Sequence, residues 1–504
     1  MTMGTAGAAQ TEVLVAGAGP VGLGMASELA RYGLSVRIVD KSEARTDKSK
    51  ALAVWTRTLE LMDRMGCTEK FLAAGLKAES AKILAGGETI ASVDMHTIQS
   101  PYSFVLMIPQ SETERLLEEQ LATYGVNVER KTELTSFEDH GDSVACTLRR
   151  SDGREERVVT SWLIGCDGAH SIVRHQLGME FHGDTMPTDF ILADVKLTGV
   201  KGPPSVDIYW HEDGVIAVFP MPSGRFRLIA DVGESKAGED AASHRPDPTL
   251  DEVQMIVDRR IGGGAQASDP AWLANFTINE RKVSDYSSGR VYLAGDAAHI
   301  HSPAGGQGMN LGIQDACNLA WKLALVARGI CKDEPLLLSY SAERSAVAEL
   351  VLEATGKATA AAVLRGGVAQ SIRNQLASLA LGFAPVQRKI ADALSEVAVA
   401  YHESPLSVDS AHVHNGPRAG DRAPIRGGDV PVGAGRTPKF AVFGDDGEAG
   451  RSSLASYATF VETTPRAPYL AGGLWVVRPD GYVALAAKAG AWNEVDAYFA
   501  KLAA

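Results

Sequence analysis

Three glycine-rich stretches lie far apart along the chain, at residues 13–22, 164–174 and 291–310. Glycines that follow a buried strand leave backbone N–H groups free to bind phosphate, and a nearby acid can hold the hydroxyls of a ribose. Together the stretches indicate one bound dinucleotide. They are not accompanied by a catalytic triad, a metal-ligand cluster or a C-x-x-C pair, so the sequence predicts that an organic cofactor carries the chemistry.

The first stretch has the pattern of a dinucleotide-binding turn. An apolar run at 13–16 predicts a buried strand, a G-x-G-x-x-G turn follows it, and a helix is predicted at 20–32. Gly17 permits the tight turn, Gly19 lets the backbone approach a pyrophosphate, and Gly22 lets the helix pack closely on the strand.

A second strand, predicted at 35–39, leads directly to an acidic residue. An acid about 20 residues beyond the glycines holds ribose hydroxyls, and an aspartate rather than an arginine indicates a nucleotide without a 2′-phosphate. The residues assigned to the dinucleotide in this part of the chain are Gly17, Gly19, Pro20, Val21, Gly22, Asp40 and Lys41.

The other two stretches, IGCDGAHSIVR and VYLAGDAAHIHSPAGGQGMN, resemble those of FAD-dependent aromatic hydroxylases of the para-hydroxybenzoate hydroxylase type. The resemblance is strongest to the branch that hydroxylates phenols and aromatic polyketides. It implies that Asp167, Gly168 and Arg174 contact FAD and the passing NAD(P)H, and that Asp296 binds the ribityl chain. The residues that it places beside the flavin ring are Pro303, Gly306, Gly308, Met309 and Asn310.

A helix that begins near Gly308 would point its positive end at the N1/O2 edge of the flavin and stabilise a reduced flavin anion. Two further positions match the family. Lys50 stands where many relatives have arginine, and Gln110 falls where relatives contact FAD. Ser111 and Glu114 have the spacing of a capping box, which predicts Ser111 as the N-cap of the following helix.

The predicted fold class is α/β with an α+β insert. It comprises a Rossmann-like FAD-binding domain, an antiparallel-sheet substrate domain inserted into it, and a C-terminal domain that resembles thioredoxin. The helix predicted at 336–351 resembles the helix that closes the family's flavin domain, but an amphipathic surface helix explains its pattern equally well, so Tyr340 and Arg344 are assigned no chemistry. Because the last domain contains no cysteine, it has no thiol chemistry, and packing or dimer contact is expected instead.

The predicted boundaries follow from these patterns. They are a disordered tail at 1–10, the first part of the FAD-binding domain at 11–180 with 82–102 contributing to the substrate sheet, the substrate sheet at 181–281, the last part of the FAD-binding domain at 282–345, linking helices at 346–413, and the thioredoxin-like domain at 414–504.

Composition excludes several classes of function. The 504 residues carry a formal net charge of −13, which argues against nucleic acid as a partner. Five scattered cysteines, a start without a signal-peptide pattern, and the lack of an uncharged run of about 20 apolar residues predict a cytoplasmic protein without a membrane span. A homodimer is left open.

The resemblance implies that NADPH or NADH reduces FAD and that O₂ then forms a C4a-hydroperoxyflavin, which hydroxylates a small phenolic or polycyclic aromatic substrate. No protein group is required as nucleophile and no metal is needed, so the catalytic residues are left unassigned, with His299 and His301 as weak candidates for a base. Positions that resemble the lining of the family's substrate pocket are Tyr209, Phe219, Met221 and Arg227.

Other functions stay open at this point. The same architecture supports Baeyer–Villiger oxidation, epoxidation and oxidative removal of a ring substituent. An FAD reductase shares the first glycine pattern, and a flavin-binding scaffold without catalysis would also fit it.

Overall fold

The computed structural model describes residues 11–200, 202, 204–234, 246–364, 367–410, 416–445 and 447–504, so the predicted tail at 1–10 lies outside the described residues. The strands are β1 (Thr11–Ala16), β2 (Val36–Val39), β3 (Ala53–Val54), β4 (Leu76–Ala78), β5 (Ser80–Ala85), β6 (Glu88–Asp94), β7 (Val105–Met107), β8 (Val128–Glu129), β9 (Thr132–Asp139), β10 (Val144–Arg150), β11 (Glu155–Gly165), β12 (His182–Thr198), β13 (Val206–His211), β14 (Gly214–Pro220), β15 (Phe226–Glu234), β16 (Gln266–Lys282), β17 (Ser287–Ser288), β18 (Val291–Leu293), β19 (His299–Ile300), β20 (Val408–Asp409), β21 (Ala441–Phe443), β22 (Gly473–Val477) and β23 (Val483–Lys488).

The α-helices are α1 (Pro20–Arg31), α2 (Thr56–Met65), α3 (Thr68–Ala74), α4 (Gln110–Ala122), α5 (Ile172–Gln176), α6 (Leu250–Arg260), α7 (Gly308–Ala327), α8 (Asp333–Ala362), α9 (Gly367–Leu381), α10 (Ala384–Leu394), α11 (Glu448–Ala455) and α12 (Trp492–Leu502).

The first sheet places the three glycine-rich stretches together. Its main order is β17-β18-β11-β1-β2-β8, and β1 pairs in parallel with both β11 and β2. Ala16 is in register with Gly165, which is in register with Leu293. Because these residues end three neighbouring parallel strands, the three stretches leave the sheet at one edge, which is where open α/β sheets bind ligands.

The second sheet covers this edge. Its order is β19-β16-β12-β15-β14-β13-β5-β6, and it includes the strands predicted within 82–102 and 181–281. The pairs are antiparallel except for β13 with β5, which is parallel.

The C-terminal part contains a four-stranded sheet in the order β20-β23-β22-β21, with α11 and α12 beside it. Its aromatic core reaches the flavin half of the molecule, because Phe440 packs edge-on against Trp321 of α7 with ring centroids 5.5 Å apart. Phe440 also packs against Phe460 and Phe499.

One expectation about helices was wrong, and for another helix the structure bears on an alternative that the sequence left open. Helix α4 begins at Gln110 and not after Ser111, because Pro109 with φ −57° already has a conformation that leads into a helix, and Glu114 accepts a hydrogen bond from Gln110 Nε2 at 2.9 Å instead of capping. Helix α8 is not only a surface helix, since Tyr340 is fully buried and its hydroxyl donates to Leu293 O at 2.7 Å.

Helix α7 packs on α1 at a point without room for a side chain. A Cβ at Gly312 would overlap Val21 Cγ2 and would lie 3.0 Å from Gly295 Cα. Gly24 of α1 differs, because its added Cβ would only touch Ile313 Cγ2 at 4.0 Å. The close approach at Gly312 therefore fixes the start of α1 and the turn at Gly295 against each other.

We predict that Gly312→Ala lowers the free energy of unfolding by about 1–3 kcal/mol, because overpacking displaces backbone. Urea unfolding checks this change. Gly24→Ala is the matched control and should be neutral or stabilising by up to about 1 kcal/mol, since alanine favours a helix more than glycine does. Equal effects of the two substitutions would contradict the assigned contact.

Candidate flavin site

A cleft of about 480 Å³ lies between the ends of the parallel strands and the second sheet. All three glycine-rich stretches line it, together with the segment at 46–53 and three residues of β14 and β15. Its lining residues are Gly19, Pro20, Val21, Thr46, Lys48, Lys50, Ala51, Leu52, Ala53, Gln110, Cys166, Gly168, Phe219, Arg227, Ile229, Ala294, Asp296, His301, Ser302, Pro303, Gly306, Gly308 and Met309.

The first turn has the shape of a pyrophosphate cradle. Gly17 has φ +99°, and a Cβ there would overlap Cys166 O, while a Cβ at Gly22 would overlap Gly17 O. Gly19 differs because a Cβ added to it meets no atom within 4 Å. The backbone is thus packed tightly behind the turn and is open toward the cleft, which fits an approaching phosphate at the start of α1.

Asp40 stabilises this turn. Its Oδ2 accepts from Ala18 N and its Oδ1 from Ser42 N, both at 2.7 Å. Each carboxylate oxygen has a further lone pair, so the half-buried side chain is still able to accept from ribose hydroxyls. Lys41 follows it and is exposed.

The second stretch is held to the third. Asp167 Oδ2 accepts from Ile172 N at 2.8 Å and caps α5, while Oδ1 is buried without a hydrogen-bond partner. Arg174 donates to Ala297 O at 3.1 Å and to Ala169 O at 2.8 Å. Burial lowers the pKa of Arg174, with the carboxylate of Asp167 opposing that shift. Gly168, at φ +82°, brings its backbone to the cleft.

Asp296 faces the cleft from a 3₁₀ turn at Gly295–Ala297. Desolvation by the surrounding protein raises the pKa of its carboxyl, and the charges of His299 and Lys50 partly oppose that shift. Its side chain is exposed in the cleft, so it can accept hydrogen bonds from a polyol chain.

The loop before α7 is fixed by Asn310. Asn310 Oδ1 accepts from Trp55 N at 2.8 Å, and Nδ2 donates to Ala53 O and Gly306 O, each at 2.9 Å. Trp55 Nε1 donates to Gly305 O at 2.7 Å. Asn310 is fully buried, so its amide supports the loop from behind while Pro303, Gly306, Gly308 and Met309 form the cleft wall.

The segment at 46–53 closes one side of the cleft. Gln110 lines the cleft, and its Oε1 accepts from Ala51 N at 3.1 Å. Lys50 is exposed, and its carbonyl accepts from Arg227 Nη1 at 2.9 Å.

The two histidines have different surroundings. His299 is buried, and its Nε2 pairs with Asp315 Oδ2 at 2.8 Å. His301 Nδ1 pairs with Ser302 O at 2.8 Å, while Nε2 is buried without a partner beside Gly308. Burial lowers the pKa of His301 to about 4, and the neighbouring His299 lowers it further. His301 is therefore a neutral hydrogen-bond acceptor at the cleft.

The roof residues divide between the two faces of the sheet. Phe219 and Arg227 line the cleft. Met221 lies in an apolar cluster beside it, and Tyr209 packs with the cluster on the α6 side of the sheet. Arg227 is almost fully buried and pairs with both oxygens of Asp194 at 2.8 Å, so its charge is neutralised within the protein.

The comparisons with known proteins agree with this cleft. The model of a family described as "FAD binding domain" matches residues 10–355. A 6-methylpretetramide 4-monooxygenase of Streptomyces rimosus is 35% identical, over 94% of this chain and 90% of the relative. Pentachlorophenol 4-monooxygenase of Sphingobium chlorophenolicum is 32% identical, over 69% of this chain and 64% of the relative.

Two solved structures share the whole architecture. An anhydrotetracycline hydroxylase from Streptomyces rimosus is 28% identical, with a TM-score of 0.78, and the match covers 98% of this chain and 99% of the other. An aromatic hydroxylase from angucycline biosynthesis is 30% identical, with a TM-score of 0.78 and coverage of 98% and 100%.

The chain belongs to the FAD-binding family of flavoprotein monooxygenases. It is an FAD-dependent aromatic hydroxylase that uses NADPH or NADH as its reducing co-substrate. The predicted fold class, cofactor and enzyme class are thereby confirmed. Among the described residues, every helix is too short or too polar to span a bilayer. A homodimer and a cytoplasmic location stay predictions.

Sequence reasoning missed the residues that hold the site from behind. Asp315 binds Gly295 N and His299, and Arg344 of α8 binds Asp315 at 2.6 Å. Trp55 was also missed, although it lies only five residues after Lys50, a position that matches the family. For Asp315 and Arg344 the signal was a charged residue on an apolar helix face, which required a partner that the sequence did not identify.

We predict that Asp296→Ala leaves a folded protein that binds FAD roughly 10- to 100-fold more weakly, because a charge-assisted hydrogen bond to a ribityl hydroxyl contributes about 1.5–3 kcal/mol. Flavin fluorescence during titration of the apoprotein measures this affinity. The control is Asp142→Ala, because Asp142 is an exposed aspartate between β9 and β10 that does not line the cleft. Unchanged affinity of the Asp296 variant would show that the side chain does not hold the cofactor.

A pH dependence follows from His301. Its folded-state pKa of about 4 lies below the ordinary 6.5, so the unfolded chain binds the proton more readily. Stability should therefore fall as the pH falls from 6.5 toward 4. Between pH 7 and pH 5, the free energy of unfolding of His301→Gln should fall by on the order of 1 kcal/mol less than that of the parent. Thermal unfolding at the two pH values measures this difference. An equal loss in both proteins would show that His301 is charged in the fold.

Proposed function

We propose that this enzyme hydroxylates a fused-ring phenol of the aromatic polyketide type. The observation that carries the proposal is the chemistry of the cleft roof. Its one buried cation, Arg227, is neutralised by Asp194, and the side chains beside it are Phe219 and Ile229. Such a surface favours a flat and uncharged ring system. The names of the relatives that act on 6-methylpretetramide and anhydrotetracycline support the same class of substrate.

His301 supports recognition of a hydroxyl group. His301 lines the cleft, its buried Nε2 is an acceptor without a partner, and a phenol O–H is a donor. A base with a pKa of about 4 is too weak to hold the proton of a phenol, whose pKa is about 10. We therefore assign His301 the role of orienting the hydroxyl and not of removing its proton.

FAD fits the cleft on the evidence of the glycine turn, which a Cβ would fill, and of the buried, unpaired Asp167 Oδ1. When bound, FAD takes a hydride from NADPH or NADH and, with O₂, supplies the oxygen atom that enters the ring. The residues of this chain bind the cofactor, orient the ring and exclude water. The first turn of α7 directs its N–H groups toward the cleft and would stabilise negative charge there.

The predicted domains would have separate roles in binding FAD and substrate. We propose that 11–180 and 282–345 hold FAD, that 181–281 covers the substrate, and that 346–413 links them to the last unit. The first two assignments are supported by the cleft, whose lining residues come from both parts. Within the described residues, the last unit contributes three strands and two helices, β20 of the linking segment completes its four-stranded sheet, and this arrangement supports the likeness to thioredoxin.

The test is a panel of substrates with the FAD-loaded enzyme. We expect a naphthacene-type phenol to accelerate NAD(P)H consumption at least tenfold and to gain 16 Da, with label from ¹⁸O₂. A one-ring phenol and para-hydroxybenzoate should do so less, because the described cation of the roof, Arg227, is already paired with Asp194 and offers no free charge to a carboxylate. His301→Phe should release more hydrogen peroxide per NAD(P)H than His301→Gln does, since only glutamine keeps an acceptor.

Products other than a hydroxylated ring would contradict the proposed hydroxylation. Insertion of oxygen into a C–C bond, an epoxide, or loss of a ring substituent would identify one of the alternative reactions on the same fold. A preference for para-hydroxybenzoate over every fused-ring phenol would contradict the proposed substrate class.

A further inference from the structure

One face of α7 carries four polar side chains at a constant spacing of four residues. They are Asn310, Gln314, Asn318 and Lys322, and all four are buried. Residues four apart lie one above another on a helix, so these side chains form a single polar stripe. The rest of α7 is mainly apolar. The stripe begins in the flavin loop and ends near the C-terminal unit, which we define here as residues 416–504.

The side chains of the stripe bind to other segments of the chain, and its last two members share one partner, Glu343 of α8. Asn310 anchors the flavin loop, as described above. Gln314 Nε2 donates to Glu396 Oε2. Asn318 Nδ2 donates to Glu343 Oε2 at 2.6 Å, and Lys322 Nζ donates to Asn318 Oδ1 at 2.7 Å. The stripe therefore joins the flavin loop to a buried acid on α8.

The C-terminal unit reaches the same acid. Arg478 binds Glu343 through Nη1 at 2.6 Å and through Nη2 at 2.9 Å, and all of these groups are inaccessible to solvent. Asp480 Oδ2 accepts from Asn318 Nδ2 at 3.4 Å. Asp480 O accepts from Arg57 of α2 at 2.6 Å. Two neighbouring residues of the C-terminal unit thus insert between α7, α8 and α2.

A small cavity of about 10 Å³ lies at this junction, roughly the room that one water molecule needs. Three of its lining residues have a buried polar atom without a partner, namely Arg57 Nε, Gln314 Oε1 and Tyr482 OH. Arg57 Nε is a donor, Gln314 Oε1 is an acceptor, and the Tyr482 hydroxyl can be either. A single water molecule has the donors and acceptors that these three atoms require, and each atom left unsatisfied would cost about 1–3 kcal/mol.

We propose that one water molecule is bound in this cavity and that it completes a hydrogen-bonded connection from the C-terminal unit to the flavin loop. Tyr482 holds the water, the water holds Gln314, and Gln314 and Asn310 fix the first two turns of α7. The C-terminal unit is then a positioning part of the FAD site. Tyr482 and Gln314 are positioning residues, because neither lines the cleft.

The experiment compares conservative variants of the full-length protein. Tyr482→Phe removes the hydroxyl, Gln314→Met removes the amide at similar size, and the double variant removes both. We expect each single variant to raise the FAD dissociation constant about 2- to 10-fold, the effect of one buried hydrogen bond. The double variant should be no weaker than the weaker single one, since both act through one water. Tyr457→Phe is the control, because its hydroxyl bonds to Asp496 O within the C-terminal unit at 3.2 Å.

Three measurements separate positioning from a general loss of stability. FAD affinity is read by fluorescence, unfolding of the apoprotein by circular dichroism, and the water by a crystal structure of the parent. Equal FAD affinity of the Tyr482→Phe and Tyr457→Phe variants would overturn the proposal. Additive effects of Tyr482→Phe and Gln314→Met on FAD affinity in the double variant would overturn it as well. A dry cavity would also overturn it. These readouts require no substrate, so they stay valid if the proposed substrate class fails.

Discussion

The structure of the flavin site depends on one buried carboxylate, that of Asp315. It accepts from Gly295 N at 2.9 Å, from His299 at 2.8 Å and from Arg344 at 2.6 Å. These partners come from the turn that carries Asp296, from β19 and from α8. Burial alone would raise the pKa of Asp315, but Arg344 and His299 hold it below its usual range. Removing one partner of such a pair typically costs about 3–5 kcal/mol, because a buried charge is left uncompensated.

A second buried acid, Glu343 of α8, binds α7 nearer to its C-terminal end, where it pairs with Lys322. Lys322 and Arg478 hold the pKa of Glu343 well below its usual range despite complete burial. Burial lowers the pKa of Lys322 to about 8, and Glu343 opposes that shift. Asp315 and Glu343 belong to neighbouring helices, and each pairs with a cation on the other helix, Arg344 of α8 and Lys322 of α7. The two pairs fix α8 along the length of α7, so the flavin loop at the start of α7 has a rigid support.

The sequence was sufficient to predict features that depend on residues close together in the chain. Gly17, Gly19 and Gly22 stand in one turn, and the strand and helix around them have clear periods, so their placement followed from spacing. The contacts that hold the site could not be read in this way. Asp315 meets His299 at a separation of 16 residues and Arg344 at 29, and Gly312 is required only because Val21 approaches it in space. The N-cap prediction at Ser111 was wrong for a local reason, since Pro109 set the helix start first. Tyr209 and Phe219 have similar sequence environments, and only sheet register decided which of them reaches the cleft.

The ion pair between Arg227 and Asp194 connects substrate chemistry to cleft geometry. The pair removes the charge of a buried cation, so the roof makes no electrostatic demand for an anionic substrate. Nη1 of Arg227 donates to Lys50 O, in the segment at 46–53 that lines the cleft. The substrate sheet and the flavin-side segment are therefore joined by the same guanidinium that is neutralised. Because this guanidinium is planar and bonded to both parts, it holds the roof strand against the flavin-side segment while its own charge is neutralised. Under the proposed function, a flat aromatic ring would lie against this neutral part of the roof.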